Sequence, residues 1–188
     1  MHYNSPENIS GSEKEYRWKE IISEVERVTD RLGKTIDSGI IETVVAFKAL
    51  GLQTVASCEG HLDYGIKAPW VDIGSVSDDT AKVALTRRKS EKQIDNEDID
   101  KVKETLTKIY TERKRILDLL NEFYMSRGVT GAYRLIALSR LGETRIINQG
   151  YDIQDGAMNS VQAEKLAEYQ KEMQQFGQWM KDKYFSQK

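Results

Sequence analysis

The side chains best suited to chemistry lie together in one short stretch, Ser57-Cys58-Glu59-Gly60-His61. Cys58 is the only cysteine of the chain, and the one other histidine is His2. A thiol and an imidazole three residues apart suit a nucleophile with a general base, or two ligands of a metal ion. The stretch follows a strand-like run and precedes a glycine-containing loop, a position where α/β-type proteins commonly place ligand sites. The sequence therefore predicts where the chemistry lies before it predicts what the chemistry is.

If the protein is an enzyme, His61 and Cys58 are its candidate catalytic residues. His61 is the better candidate because the unperturbed pKa of imidazole lies near neutrality. Cys58 needs its thiolate form, and a Cys–His pair also needs a third group to orient the imidazole. The carboxylates available for that role are Glu59, Asp63, Asp72 and Asp37. The alternative is a small buried cysteine at a strand end, inert because apolar surroundings raise the pKa of its thiol.

A metal site is a second interpretation of the same residues. Cys58 and His61 have the two-residue gap of half a zinc site, but the chain contains no second Cys/His pair. Carboxylates such as Glu59, Asp63 or Asp72, or a second subunit, would have to complete it. The sequence assigns no metal ligand on this basis, and it names no cofactor.

A binding loop is the interpretation that the residues support best. The turn offers main-chain N–H groups around Gly60, the hydroxyl of Ser57 and one imidazole, which together suit a phosphate or carboxylate. Gly60 would serve through its conformational freedom or by allowing close approach of the backbone. Arginines of a later hairpin could add charge-assisted contacts. The ligand-binding residues that we predict are Asp37, Ser57, Glu59, Gly60, Asp63, Trp70, Asp72 and Arg140.

Two helices are predicted ahead of this turn. Ser12-Glu13-Lys14-Glu15 matches a capping box, and apolar spacing predicts a helix over 13–32 that stops at Gly33. Asp37 is a candidate N-cap for a second helix that ends at Gly51, apolar on nearly all sides and therefore buried under the site. The apolar positions of the first helix are Trp18, Ile21, Ile22, Val25, Val28 and Leu32.

Four strands are predicted, in two pairs. Strands over 53–57 and 69–74 flank the turn, and the alternation of the second places Trp70 and Asp72 on one face. Segments 133–138 and 144–148 predict a β-hairpin around a glycine-containing loop. A polar face with Trp70 and Asp72 suits a ligand site, whereas a core tryptophan beside a solvated aspartate is the equally open alternative.

Two long helices complete the prediction, over about 95–125 and 160–184, each with apolar residues at steps of three and four. Arg113 occupies one apolar position of the first of these helices, where an arginine can point to solvent, pair with a charge at an interface or belong to a site, the first being the commonest. The two apolar seams could pair within one chain or across a homo-oligomer. The fold class is α+β, with about four strands in a mainly antiparallel sheet packed with about four helices, two of them long.

The length of 188 residues suits one domain, which we place at 12–188 after a flexible tail at 1–11. The polar stretch 77–97 is open as an edge strand, a mobile insertion or a lid. Neither a secretory signal nor an apolar run of roughly 18–20 residues is evident, so we expect no membrane partner. The single cysteine favours a reducing compartment and a cytoplasmic location. The net charge of −2 argues against a main role in binding nucleic acid, although short basic clusters leave a local patch open.

The segment Thr54 to Ile73, T-V-A-S-C-E-G-H-L-D-Y-G-I-K-A-P-W-V-D-I, resembles a segment of uncharacterised prokaryotic proteins. In those proteins S-C-E-G-H is likewise followed by aspartate, glycine and a P-W-V/I-D-type strand. The resemblance covers about 40 residues, from Thr35 to Ile73, and implies no assigned activity.

A more distant similarity is to the methyltransferase family that acts late in tRNA wybutosine synthesis. That family has an aspartate-capped helix, a strand and an S-S-C-S-G-R type turn. His61 stands where the family has arginine, and Glu59 where it has serine. The similarity implies an S-adenosylmethionine site and a nucleic-acid substrate. The positions that match are Asp37, Ser57, Cys58 and Gly60, with a looser likeness at Ser126-Arg127-Gly128-Val129 before the strand that contains Arg140.

These patterns support one leading functional hypothesis and three alternatives. The first is a small-molecule or nucleotide-type ligand-binding protein, in one form an enzyme, with its site at the Ser57–Asp63 turn. The second is a non-catalytic protein–protein interaction protein of host or mobile-element origin that acts through its helical seams. The others are a metal-dependent site and an S-adenosylmethionine-dependent methyltransferase acting on RNA.

Overall fold

The computed structural model describes residues 10–30, 32–74, 96–140, 142–153 and 159–187. Within these ranges the chain forms four α-helices and one four-stranded antiparallel sheet, which confirms the predicted α+β class. Of the predicted tail at 1–11, only residues 10 and 11 are described, and of the predicted insertion at 77–97, only residues 96 and 97 are described. The elements are α1 (Gly11–Glu26), α2 (Ile41–Ala49), β1 (Thr54–Cys58), β2 (Trp70–Ile73), α3 (Asn96–Tyr124), β3 (Leu135–Arg140), β4 (Glu143–Asn148) and α4 (Asn159–Ser186), with short 3-10 turns at Ser38–Ile40 and Gly131–Tyr133.

The sheet has the strand order β1-β2-β4-β3, with β1 at one edge. Cys58 pairs with Trp70 across β1 and β2, so the predicted site residue is the last residue of a strand rather than part of the following loop. The predicted hairpin is confirmed by the pairing of β3 with β4, and Gly142 takes a φ of +73° in its turn. The side chains of β2 alternate between the two faces of the sheet as predicted, since Val71 and Ile73 both point into the main core.

The main core lies between one face of the sheet and the helices, with side chains from all four helices. The short helix α2 is its centre, since residues 43–47 are each no more than 1% exposed. Phe47 of α2 meets Phe176 of α4 with ring centroids 5.8 Å apart. The prediction that the second helix is buried on nearly all sides is confirmed, and its burial fixes the chain that leads directly into β1.

The two long helices pack against each other within this chain. Near the C-terminal end of α3, Phe123 lies 5.0 Å from Phe176 between ring centroids, and Glu122 pairs with Lys183 at 2.6 Å. The predicted apolar seams therefore meet intramolecularly at this end. Arg113 does not point to solvent, because its Nε donates to Thr144 Oγ1 at 3.2 Å and ties α3 to β4.

The start of α1 differs from the prediction. The N-cap is Ser10, whose hydroxyl accepts from the N–H of Glu13, while the Glu13 carboxylate accepts from the N–H of Ser10. The predicted box at Ser12 is wrong because two overlapping S-x-x-E patterns exist, and the structure uses the earlier one. The amphipathic face is the same for both caps, so periodicity alone could not choose between them.

The end of α1 also differs from the prediction, and this changes the surface beside β1. The helix stops at Glu26 instead of residue 32, because the carboxylate of Asp30 accepts hydrogen bonds from the N–H groups of Leu32 and Lys34. This Asp-centred turn competes with the helix for the same main-chain donors. Val28 and Leu32, predicted as core positions of the helix, are instead exposed beside the edge of the sheet.

Candidate functional site

A groove lies along the edge strand β1. Its walls are β1, the segment that follows α1, and one side of α2, and they enclose a cavity of about 410 Å³. The groove exists because α1 ends early and the chain turns back at Asp30 before it enters α2. The residues that line the groove are Val25, Val28, Thr29, Asp30, Leu32, Lys34, Thr35, Ile36, Asp37, Val44, Lys48, Thr54, Val55, Ala56, Ser57, Cys58, His61 and Tyr64.

Three of these residues, Asp37, Cys58 and His61, form what we call the polar cluster. Their potential ligand atoms, one from each residue, all lie within 4.8 Å of one another, and all three side chains are half-buried. Asp37 Oδ2 lies 3.3 Å from His61 Nε2. The His61 ring stacks on Tyr64, with centroids 4.3 Å apart and planes at 21°, which fixes the plane of the imidazole.

Asp37 reaches the polar cluster because its side chain does not cap the helix that follows. Its main-chain oxygen accepts from Ile40 N at 3.2 Å and starts the 3-10 turn, but its carboxylate makes no capping bond there. Asp37 Oδ2 accepts instead from Glu59 N at 3.1 Å. The prediction that the Asp37 side chain caps the second helix is therefore wrong, and the carboxylate is held toward β1.

Gly60 shapes the turn against the protein itself. Its φ is +82°, and a Cβ at this position would lie 2.7 Å from the carbonyl carbon of Ala68 and 2.9 Å from Leu166. Its N–H donates to Cys58 Sγ at 3.3 Å. Both predicted reasons for a glycine hold, conformational freedom and close approach, but the neighbour is the protein's own chain.

Glu59 holds the turn in place. Its carboxylate accepts from Gly39 N at 2.8 Å, and its carbonyl accepts from Gln170 Nε2 at 3.1 Å. These bonds connect the turn to the 3-10 turn before α2 and to α4. Of the other residues predicted in this stretch, Ser57 lines the groove, whereas Asp63 is exposed and outside the polar cluster.

The environment of Cys58 favours the protonated thiol. Burial raises the pKa of this thiol above its ordinary value, and the hydrogen bond from Gly60 N–H lowers it in part. The carboxylates of Asp37 and Glu59 raise the same pKa further through their negative charge. The metal-free thiol is therefore a poor nucleophile at neutral pH, because only its thiolate form attacks.

Trp70, Asp72 and Arg140 lie in a different group, which we call the charged cluster together with Arg145. Asp72 is 3% exposed, and Arg145 donates to it from both Nε and Nη2 at 2.7 Å. Arg140 donates to the same carboxylate at 3.2 Å. The Arg145 guanidinium lies 3.8 Å above the ring centroid of Trp70. None of the four lines the groove, although Trp70 is the cross-strand partner of Cys58 and Asp72 that of Ala56.

Several groove residues were missed by the sequence analysis. Tyr64, which stacks on His61, falls inside the predicted loop and was not singled out. Val28, Lys34 and Lys48 line the groove from the segment after α1 and from α2. A signal for part of this existed, because Asp30 and Gly33, just before Lys34, are residues that favour turns.

Comparison of the chain with protein-family models, with curated proteins and with solved structures finds no match. The two resemblances described above therefore remain predictions. No helix among the described residues combines the length and the apolar character needed to cross a membrane.

Proposed function

We propose that this protein binds a small molecule, with a flat ring and an anionic group, in the groove beside β1. The observation that carries the proposal is a cavity of about 410 Å³ with the polar cluster in its wall. Ligand pockets in proteins occupy about 300–1,000 Å³, with mostly apolar walls and a few convergent polar groups. This groove has both properties, and its size suits a nucleotide-type ligand.

The apolar part of the groove suits a ring. Val25, Val28, Ile36 and Val44 supply aliphatic walls from α1, the following segment and α2. Burial of a flat ring against such walls is favourable in proportion to the apolar area removed from water. The ring of Tyr64, stacked on His61, adds an aromatic surface at the polar cluster.

The groove offers hydrogen-bond donors to an anionic group. Lys34, Lys48 and His61 supply cationic or proton-donating groups along the cavity. The two acidic side chains already accept hydrogen bonds from the main chain, Asp30 from Leu32 and Lys34, and Asp37 from Glu59. A phosphate or carboxylate would therefore meet donors in the groove, and charge-assisted hydrogen bonds of this kind are shorter and stronger than neutral ones.

Calorimetric titration of the full chain, in the presence of a chelator, tests the proposal. The probes are nucleoside monophosphates and diphosphates, inorganic phosphate, uncharged nucleosides and S-adenosylmethionine. We expect a phosphorylated nucleoside to bind more tightly than its uncharged nucleoside, since only the former uses both parts of the groove. Absence of binding by every probe would contradict the proposal. Selective binding of S-adenosylmethionine would replace it with the methyltransferase alternative.

A matched pair of variants locates the binding site. Val28 in the groove and Leu117 on α3 are similarly exposed, at 48% and 43%, so tryptophan at either position leaves the core intact. V28W fills the groove and should abolish binding, whereas L117W should leave it unchanged. Equal binding by both variants would show that the ligand occupies another surface.

The interaction-protein alternative has less support from the fold than from the sequence. The apolar seam of α3 packs against α4 at its C-terminal part, through the contact of Phe123 with Phe176. This part of the seam is therefore covered within the chain and does not face a partner. Light scattering of the purified chain checks this, and we expect the mass of a single chain.

A further inference from the structure

We propose that Asp37, Cys58 and His61 bind a divalent transition-metal ion of the zinc type, with one coordination position open to the groove. The proposal adds an ion to the groove and rests on the proposed function only for what fills the open position. Binding of the ion itself requires no organic ligand. Thiolate, imidazole and carboxylate are the three side-chain groups that zinc accepts in proteins.

The spacing of the three ligand atoms fits such an ion. Two ligand atoms at about 2.0–2.1 Å from a tetrahedral ion lie about 3.3 Å apart, by the geometry of the tetrahedron. Asp37 Oδ2 and His61 Nε2 already lie 3.3 Å apart. Cys58 Sγ lies within 4.8 Å of both atoms, so a small side-chain movement places it at a zinc–sulfur distance of about 2.3 Å.

The fold supplies Asp37 as the third ligand, a residue that the sequence indicated for ligand binding but not as a metal ligand. Among the carboxylates considered for completing the Cys58–His61 pair, Glu59 accepts from Gly39 N, Asp63 is exposed outside the polar cluster, and Asp72 is held by arginines. Asp37 lies 24 residues before His61 in the sequence. Its carboxylate reaches the imidazole because it points toward β1 and does not cap the helix that follows. One chain therefore provides three ligands without a second subunit.

The groups around the ligands orient them. Glu59 N–H donates to Asp37, and Gly60 N–H donates to Cys58 Sγ. Tyr64 holds the plane of the His61 ring. Outer contacts of this kind fix ligand orientation in metal sites, and their loss typically weakens metal affinity.

The charge and coordination number indicate an open site. One thiolate and one carboxylate balance a divalent ion, and the thiol proton leaves to solvent when the metal binds. Three protein ligands leave the fourth position for water or for an anionic group of a ligand, the arrangement of catalytic rather than structural zinc sites. The cavity provides access, because all three ligands line it.

Cobalt titration of the chelator-stripped full chain tests the proposal without any organic ligand. We expect one cobalt ion per chain, a thiolate-to-cobalt charge-transfer band, and visible absorption of tetrahedral intensity that zinc abolishes. Cys58 is the only cysteine, so such a band assigns the sulfur ligand directly. Binding below one equivalent, or absorption without a charge-transfer band, would overturn the proposal.

Matched variants identify the other two ligands. D37N and D63N remove one carboxylate each within the same region, and H61A and H2A remove one histidine each. We expect D37N and H61A each to weaken cobalt binding at least about tenfold. Loss of a residue that only contacts a metal ligand already weakens metal affinity by about tenfold or more, and loss of a ligand itself should cost at least as much. D63N and H2A should bind as the wild type does. Loss of binding in H2A or D63N, or full binding in D37N, would contradict the assignment, and circular dichroism of each variant checks that it is folded.

The two proposals fail separately. Ligand titration is performed with a chelator present, and cobalt titration is performed without ligand. A chain that binds cobalt but no probe would overturn the proposed function and keep the metal site. A chain that binds a phosphorylated nucleoside but no cobalt would overturn the metal site and keep the proposed function.

Discussion

The polar cluster and the charged cluster each centre on one aspartate, yet the two carboxylates have opposite environments. The side chain of Asp72 is 5% exposed and is neutralised by Arg145 and Arg140. The side chain of Asp37 is 31% exposed and contacts an imidazole, a thiol and one main-chain N–H. The first carboxylate has two arginine partners and does not line the groove, whereas the second has an imidazole and a thiol beside it and lines the cavity.

Under the proposed function, this difference corresponds to a structural role for Asp72 and a binding role for Asp37. A buried carboxylate with a bidentate arginine cannot release that partner without leaving an unpaired charge in the interior. A half-buried carboxylate beside a groove can exchange a hydrogen bond for a ligand at small cost to the fold. Loss of the buried carboxylate of Asp72 should therefore destabilise the fold, whereas substitutions in the polar cluster should remove binding from a folded protein.

Replacement of Asp72 by alanine should have the largest effect. It leaves the guanidinium of Arg145 without its charge partner, and breaking a buried pair in this way costs about 3–5 kcal/mol. Urea denaturation measures the loss in free energy of unfolding. R140Q is the control, because the side chain of Arg140 is 47% exposed and such pairs contribute about 0–1 kcal/mol. A D72A variant as stable as R140Q would remove the distinction between the clusters.

Gly60→Ala should have the next largest effect on stability. Both a φ of +82° and the contact with the main chain at Ala68 oppose a side chain there. Gly65 is the control, since its φ is +69° but nothing lies within 4 Å of an added Cβ. G65A should cost about 1–2 kcal/mol from backbone conformation alone. Urea denaturation should show a larger loss for G60A, and equal losses would mean that the approach to Ala68 is unimportant.

His61→Ala should leave the fold nearly unchanged. The imidazole is half-buried, and its contacts are the carboxylate of Asp37 and the exposed ring of Tyr64. A loss of about 1 kcal/mol corresponds to a melting temperature within a few degrees of the wild type. Thermal unfolding followed by circular dichroism measures it. A variant that melts as far below the wild type as D72A does would place His61 among the structural residues.

Asp37→Asn should change reactivity more than stability. The carboxylate of Asp37 raises the pKa of the Cys58 thiol, so its removal lowers that pKa and increases the thiolate fraction at a given pH. With metal removed by a chelator, alkylation of Cys58 at mildly alkaline pH should become several-fold faster. D63N serves as the control and should react at the wild-type rate. A slower reaction in D37N would mean that the carboxylate activates the thiol instead of suppressing it.

Local patterns in the sequence predicted most of the elements but not their contacts. The helical spacing of α3 and α4 and the glycine turn between β3 and β4 are properties of neighbouring residues. The end of α1 was predicted wrongly, because the side chain of Asp30 competes with the helix for main-chain donors. That competition depends on how the chain folds back, which periodicity does not contain.

The sequence predicted the turn that borders the groove but not the side chains that meet there. The turn that contains Cys58 and His61, where the sequence placed the candidate site, contributes residues to the wall of the groove. Asp72 was grouped with this turn because β1 and β2 were expected to be neighbours, and they are. Its pairing with Arg145 depends on the register between β2 and β4, which no local pattern specifies.

The most direct test of the central claim compares the two clusters in one experiment. Backbone amide spectra of the full chain are recorded during titration with a phosphorylated nucleoside, in the presence of a chelator. The N–H groups of Glu59 and Gly60 report on the polar cluster, because they donate to Asp37 and Cys58. We predict that these signals shift by more than those of Asp72 and Arg145. Shifts centred on Asp72 and Arg145, or none at either cluster, would contradict the assignment of the groove as the ligand site.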